Sequence, residues 1–388
     1  MIQLFRPGFE VDECLNEIKE CLEKGWTGDG YKTVQFEEQW KREMGFQNAL
    51  FLNSATAGLY LAVRVLGEKC EWSSEAEIIT TPLTFVSTNH AVLKNGYKCI
   101  FADVDDTFCL SEESVLERIT HNTKAIIYVG YGGCTANLSK IVETCKEKRI
   151  KLIVDAAHMA GKNVTNSNLT RDSDAVVYSF HAVKNLPTGD AGMLCMKEDE
   201  LAEKARCLSW LGIDKTTYSR TSKKRYSWQY TVEYLGDKFN GNSIMASIAL
   251  VQLKYLERNN LKRKEIANLY LEELKPIIEK GYIKTQRIPS VCKTNYHLFS
   301  VLVEGRDDVI NYLSDKGIQT GVHYQCTTSF PMYNYAAGTC PYAEWVSKHE
   351  LSLPMHVYLS ENDIILIVKS LKEFLDIPLT CPQLITKG

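Results

Sequence analysis

Between about residue 50 and residue 180 the chain repeats one pattern: a short β-rich run, a turn of small or polar residues, then a helical stretch. The runs are Ala49–Leu52, Glu77–Thr81, Lys98–Ala102, Ala125–Val129, Lys151–Val154 and Ala175–Ser179. Helical spacing falls at Ala57–Leu66, Thr84–Lys94, Leu138–Lys148 and Glu198–Leu208. Strands alternating with helices in this way predict parallel βαβ units with helices on both faces. Ligands of open α/β sheets sit at the carboxyl ends of the strands, so the residues at those ends decide the chemistry.

The chain has 388 residues, more than one core of about 250 normally serves, so two lobes are expected. Asp12 is placed to cap a helix over Cys14–Leu22 that Gly25 ends; a turn-rich loop, Trp26–Gly30, leads to helical spacing at Val34–Met44. A long amphipathic helix is predicted from Ser243 to Leu274, with a break near Asn259-Asn260. Beyond it the sequence predicts a strand at His297–Val303, a helix at Asp307–Lys316 and a closing helix at Asn362–Leu375. The expected division is a large domain with an N-terminal arm over 1–245, and the connecting helix with a small α+β domain over 246–388.

Lys plus Arg number 45 and Asp plus Glu 48, a formal charge of −3 with no long like-charge block. That disfavours a nucleic-acid binder working through a large basic surface. The thirteen cysteines show no CxxC pair or zinc spacing and read as free thiols, with no metal site expected. No apolar run approaches the roughly 18 residues of a membrane span, and the N-terminus carries a charge within six positions. A cytoplasmic setting is the expectation.

Three strand ends carry chemistry. At Phe51–Leu59 a strand runs through Asn53-Ser54-Ala55-Thr56 into a helix, whose unpaired first amides attract phosphate; the same residues also make an ordinary helix cap. At Lys151–His158 a strand delivers Asp155 to the sheet edge, followed by small residues; it can hold a protonated ring nitrogen or cap the next segment. At Tyr178–Gly192 a strand ends on Ser179 and Lys184 follows in a loop; a lysine in a dry cleft has a lowered pKa and attacks carbonyls. Pyridoxal phosphate needs such a set: a lysine for its aldehyde, an aspartate for its pyridine nitrogen, amides and hydroxyls for its phosphate.

At these residues the sequence resembles the DegT/DnrJ/StrS-type nucleotide-sugar aminotransferases, which have the aspartate-aminotransferase (type I) pyridoxal phosphate fold. The resemblance covers Asn53–Ala57, Thr81–Thr88, Asp155–His158, Ser179–Asn185, Gly236–Asn240, Ile248–Leu253, Gly317–Tyr324 and Leu351–Pro354. It is nearest to members that aminate C4 of UDP-4-keto sugars. It implies a mostly parallel central sheet flanked by helices, a smaller C-terminal α+β domain, and pyridoxal 5'-phosphate passing through pyridoxamine 5'-phosphate.

The resemblance also implies roles. Lys184 would bond the cofactor and relay the proton. Asp155 would pair with the ring nitrogen, His158 would lie near the ring and its hydroxyl, and Phe85 would stack on the opposite face. Ala55, Thr56 and Ser179 would hold the phosphate. Lys238 or Asn240 would reach in from a partner subunit, because each family site is built from two chains of a homodimer. His323 and Tyr324 would line the sugar side. The basic loop Asp214–Tyr226, with Arg220 and Lys223, is either a solvated surface or a clamp for the nucleotide diphosphate. His181 would support the lysine loop.

The implied reaction moves the amino group of L-glutamate to a nucleotide-linked keto sugar, in glycan or lipopolysaccharide biosynthesis. Rival readings are C3 amination, a sugar dehydratase on the same fold, which carries histidine where this chain has Lys184, and a non-enzymatic cofactor-binding regulator. The chain departs from the family at Asp237, where an aromatic is usual, at Gly241-Asn242-Ser243, and after Tyr324, where a second histidine is missing.

Overall fold

The computed structural model describes residues 1–165, 171–215, 217–221 and 228–376. Seven strands form the large sheet: β1 (Leu50–Leu52), β2 (Glu77–Thr80), β3 (Lys98–Phe101), β4 (Thr123–Val129), β5 (Lys151–Asp155), β6 (Ala175–Ser179) and β7 (Gly192–Met196). Their order is β1-β7-β6-β5-β4-β2-β3. β6, β5, β4, β2 and β3 run parallel, and β7 is antiparallel to both β6 and β1. The fold is the expected mixed α/β type. The β-rich runs lose at most one or two residues at an end or gain as many, because burial on both faces (β4 to β7 are almost wholly buried) makes them continuous apolar segments.

β7 was not anticipated. It follows the glycine-containing turn after Lys184 and pairs back on β6 from Ser179↔Gly192 to Ala175↔Met196. Gly192 has a steric reason to be glycine: a Cβ there would meet the backbone of Ser54 and Ala55 at 2.5 Å. Its absence lets the turn after β1 lie directly on β7, which sets where the helix Ala55–Lys69 begins.

A second sheet, β8 (Ile283–Thr285), β9 (Phe299–Val303) and β10 (Glu350–Leu353), is antiparallel in the order β10-β9-β8. It packs with the helices Arg306–Asp315 and Glu361–Asp376 around Val301, Leu313, Leu351, Leu353 and Ile367. The larger core lies on the seven-stranded sheet.

The break predicted near Asn259-Asn260 does not occur. One helix runs from Ser243 to Glu279, 37 residues, capped by Asn242, which accepts from the Met245 amide at 2.9 Å. Asn260 is buried, so its amide needs partners. It donates to the Ala160 carbonyl at 2.9 Å and accepts from Asn185 at 2.8 Å. Leu250, Leu253 and Leu256 of this helix belong to the large core, and Ile266, Tyr270 and Leu274 to the small one. Asp12 also differs from expectation. The first helix is Val11–Lys24, so Asp12 lies in its first turn, where a carboxylate favours the helix dipole without capping. Gly25 ends it in a left-handed turn (φ 69°). The helix expected from Thr84 begins at Ser87.

The twelve cysteines among the described residues are free. No described helix is long and apolar enough to cross a membrane, and no described cluster of His, Cys, Asp and Glu has the composition of a metal site.

Candidate active site

The carboxyl ends of β4, β5 and β6 and the turn after β1 open on one cavity of about 370 Å³. Ser54, Ala55, Thr56, Phe85, Asp155, His158, Ser179, Lys184, His323 and Tyr324 all line it. Seven of the nine expected cofactor and catalytic positions and both expected sugar-side residues are therefore here.

Asp155 ends β5, hydrogen-bonded into the sheet between Val129 of β4 and Val177 of β6. Its side chain is only 5% exposed. Oδ2 accepts from the Thr88 hydroxyl at 2.7 Å and Oδ1 from the Ala157 amide at 3.1 Å. Burial raises its pKa; those two donors and the Lys184 charge pull it back. A hydrogen bond to a charged group is worth about 1.5–3 kcal/mol, so Thr88 is a substantial holder of this carboxylate. Thr88 lies within the Thr81–Thr88 motif, yet nothing in the sequence pairs it with Asp155.

Lys184 follows β6 after a tight turn in which its amide donates to the His181 carbonyl at 2.9 Å. Burial pushes its amine down to about 8, partly opposed by Asp155. No described residue hydrogen-bonds its Nζ. Its neighbour Asn185 is anchored on three sides, to Asn260 at 2.8 Å, to the Asn295 carbonyl at 3.3 Å and to His297 Nδ1 at 2.9 Å. The lysine loop is thus tied to the long helix. This tether was missed because Asn260 reads as a helix breaker.

At the other end, Ser54 caps the helix Ala55–Lys69 by accepting from the Ala57 amide at 3.2 Å. Its hydroxyl also donates to Asn53 Oδ1 at 3.3 Å. The Ala55 and Thr56 amides of the first turn have no partner within their own helix, and Ser179 lies across from them. An anion is favoured there by both the amides and the dipole.

His158 is buried and neutral, its pKa held well below the ordinary value by burial and by the Lys184 charge. Its Nδ1 accepts from the Gly132 amide at 3.2 Å. The ring proton is therefore on Nε2, which donates to the Tyr324 hydroxyl at 2.8 Å. Tyr324 keeps its own proton for a group in the cavity. Phe85 is 60% exposed with its ring 6.3 Å from that of Tyr324, an open aromatic face at the mouth.

Lys238 and Asn240 do not line this cavity. They lie on the segment that pairs with the end of β1 through Leu52↔Asn240, Lys238 donating to Asn240 at 2.5 Å and resting 4.2 Å from the Trp210 ring centre. Arg220, in the short helix Thr217–Thr221, stacks 4.9 Å from the Tyr230 ring centre and is also outside the lining. Lys223 lies outside the described residues. His181 lines the cavity and accepts from the Val183 amide at 3.4 Å.

The donor set fits pyridoxal phosphate: helix amides without a partner in their own helix for the phosphate, a buried carboxylate already oriented by two donors, and a desolvated lysine whose amine no described residue hydrogen-bonds. Comparisons agree. The spore coat polysaccharide biosynthesis protein SpsC of Bacillus subtilis is 32% identical over 93% of this chain and 94% of its own. The structure of PseC from Helicobacter pylori, an aminotransferase involved in the biosynthesis of pseudoaminic acid, is 26% identical with a TM-score of 0.85, covering 97% of this chain and 99% of that one. NtdA from Bacillus subtilis, solved with bound pyridoxamine phosphate, is 26% identical with a TM-score of 0.82, covering 94% and 82%. Residues 10–372 match the DegT/DnrJ/EryC1/StrS aminotransferase family, and the chain belongs to it.

Proposed function

We propose that this chain is a pyridoxal phosphate-dependent transaminase that moves the amino group of L-glutamate to C4 of a nucleotide-linked 4-keto sugar. The observation that carries the reading is the convergence of Asp155, Lys184 and the free amides of Ala55 and Thr56 on one cavity. When bound, the cofactor supplies a carbonyl that exchanges the amino group and a ring that takes up electron density. Asp155 would hold a proton on the ring nitrogen, since a neighbouring opposite charge favours the charged form. Lys184, with its amine near 8, gives up and takes back a proton at neutral pH and moves it between substrate carbon and cofactor carbon. Thr56 and Ser179 add hydroxyls to the phosphate amides. Phe85 covers one ring face, and the Tyr324 proton is offered to a ring or substrate oxygen. His323 and Tyr324 face the sugar, and Arg220 with Lys223 holds the diphosphate.

The reading includes a homodimer. Lys238 and Asn240, which turn away from their own cavity, complete that of the partner. Mixing Lys184→Ala chains with Lys238→Ala or Asn240→Ala chains then restores about a quarter of native activity by random pairing. No recovery with proven subunit exchange refutes the shared site. The reaction itself is tested with a panel of 4-keto and 3-keto nucleotide sugars and glutamate, products identified by mass and NMR. An amino sugar at C4 is expected. Amination at C3 moves the assignment, and no amino sugar from any member of the panel removes it.

A further inference from the structure

Behind His323, away from the large sheet, lies a buried polar network that none of the roles above uses. In β10, Glu350 and Ser352 alternate with Leu351 and Leu353, so the two polar residues share one face of the small sheet. The leucines enter the small core. The polar face is buried just as completely: Glu350 and Ser352 are each 0% exposed. Ser300 of β9 stands in register with Ser352 and completes the face. Burying a carboxylate is costly unless its lone pairs are filled, and here they are. Oε1 accepts from Ser300 at 2.7 Å and from Ser352 at 2.6 Å, and Oε2 accepts from the His323 amide at 2.7 Å. Tyr131 closes the group: its hydroxyl lies 3.0 Å from the Ser300 oxygen and beside the His323 carbonyl, and its single proton serves one of these two acceptors. Of Glu350, Arg306 reaches the backbone carbonyl, at 2.9 Å, and not the carboxylate.

When Glu350 is ionised, the Ser352–His323 branch of this network has one proton assignment. The Ser352 hydroxyl has a single proton, and it goes to Glu350. The 2.8 Å contact between Ser352 Oγ and His323 Nδ1 must then be donated by the histidine. His323 lines the cavity, and no described protein group pairs with its Nε2. His158, on the same cavity, carries the opposite tautomer, its proton on Nε2 because a backbone amide occupies Nδ1.

We propose that Glu350 is a positioning residue that, through Ser352, fixes His323 with its proton on Nδ1 and its Nε2 as a bare acceptor facing the cavity. The cavity then presents a donor and an acceptor side by side, the Tyr324 hydroxyl and His323 Nε2. The group that suits Nε2 is a hydroxyl of the sugar, a donor that a deoxy position cannot replace. This last step rests on the sugar-transaminase reading; the tautomer does not.

Glu350→Gln tests it, because the amide keeps the shape but reverses one hydrogen bond. The His323 amide still needs an acceptor, so the new carbonyl oxygen takes the place of Oε2. The new NH₂ then faces Ser300 and Ser352 and donates to them. Ser352 turns its proton to His323 Nδ1, and the histidine proton moves to Nε2. Nitrogen NMR of isotope-labelled histidine, assigned with His323→Asn and recorded on the alkaline side of the Glu350 carboxyl, reads the two tautomers directly. The expected result is Nδ1–H in the native chain and Nε2–H in Glu350→Gln, with unchanged His158 shifts. Nε2–H in the native chain, or the same tautomer in both, overturns the proposal. Ser352→Ala cuts the link without touching the carboxylate and is expected to release His323 from the Nδ1–H state; a His323 that keeps it also overturns the proposal. With a nucleotide-linked 4-keto-6-deoxyhexose as acceptor, Glu350→Gln is expected to raise KM about tenfold with kcat within a factor of about three, the size of one lost hydrogen bond. If kcat falls instead while KM holds, Glu350 does not act on substrate binding and the acceptor role is wrong. A keto sugar that neither chain uses bears on the reaction, and the imidazole shifts still decide the tautomer.

Discussion

Each of the two sheets buries one carboxylate beside the cavity, and they are completed in different ways. Asp155 stands at the end of a parallel strand with two donors, a lysine charge near it, and an open side on the cavity. Glu350 stands in an antiparallel strand with three donors, and among the described residues no cationic side chain pairs with it. Both are pushed up by burial, Glu350 to about 7. The difference teaches what each is for. Asp155 is left unfinished by the protein, with the open side that the proposed pairing with a positive ligand group requires. Glu350 is finished by the protein and can act only on what its donors touch.

The sharpest break of the comparison removes the cation on the Asp155 side. Lys184→Ala is expected to keep bound cofactor and lose at least about 10⁴-fold in the glutamate half-reaction, the upper range for proton relay. Full turnover in that variant would remove Lys184 from the chemistry. Next comes the charge itself. Asp155→Asn keeps two hydrogen-bonding atoms and loses the charge, with an expected cost on the order of 4 kcal/mol in the same half-reaction. A single-turnover loss below about tenfold would make Asp155 a strand-end cap, no different in kind from Glu350. Thr88→Val then probes how far the protein finishes Asp155. Losing a donor to a charged group predicts about ten- to hundredfold in the half-reaction, with the fold intact by circular dichroism.

The remaining effect is on stability rather than on rate, and it tests the Glu350 side. Its folded pKa of about 7 lies above the ordinary 4.5, so the folded chain holds the proton more tightly than the unfolded one. Stability from this group is full below pH 4.5 and is lost as pH rises through 7. Native and Glu350→Gln chains, unfolded by denaturant across that range, should diverge by on the order of 3 kcal/mol, the native chain losing ground as pH rises. Parallel curves would mean that the carboxyl titrates as if exposed.

The same contrast explains what the sequence reveals. Asp155, Ser179 and Lys184 are legible because a parallel α/β sheet brings each strand end to one edge, so order along the chain becomes neighbourhood in space. Glu350 and Ser352 are not, because the alternation Glu350-Leu351-Ser352-Leu353 is the ordinary pattern of a strand with one wet face. Only the structure shows that face to be dry. Asn260 misleads for a related reason: a polar residue in a helix signals a break unless something buried needs its amide, and that partner, Asn185, lies 75 positions away. Lys238 and Asn240 carry a recognisable motif, yet in their own chain they lie outside the cavity lining and contact each other and Trp210. β7 escaped notice because its five residues follow directly on the glycine-containing turn that serves the lysine.

The long helix has a consequence for how the molecule comes apart. At 1.5 Å per residue its 37 residues span about 55 Å, and it contributes side chains to both cores while Asn260, near its middle, pins the loop of Lys184. A fluctuation that melts the small core must either fray this rod up to Asn260 or leave it standing with half its apolar stripe in water. Cooperative opening of the small lobe therefore propagates to the lysine loop. Amide exchange around Asn185 should follow that of the small sheet more closely than that of β3, which lies on the same large sheet but at its far edge.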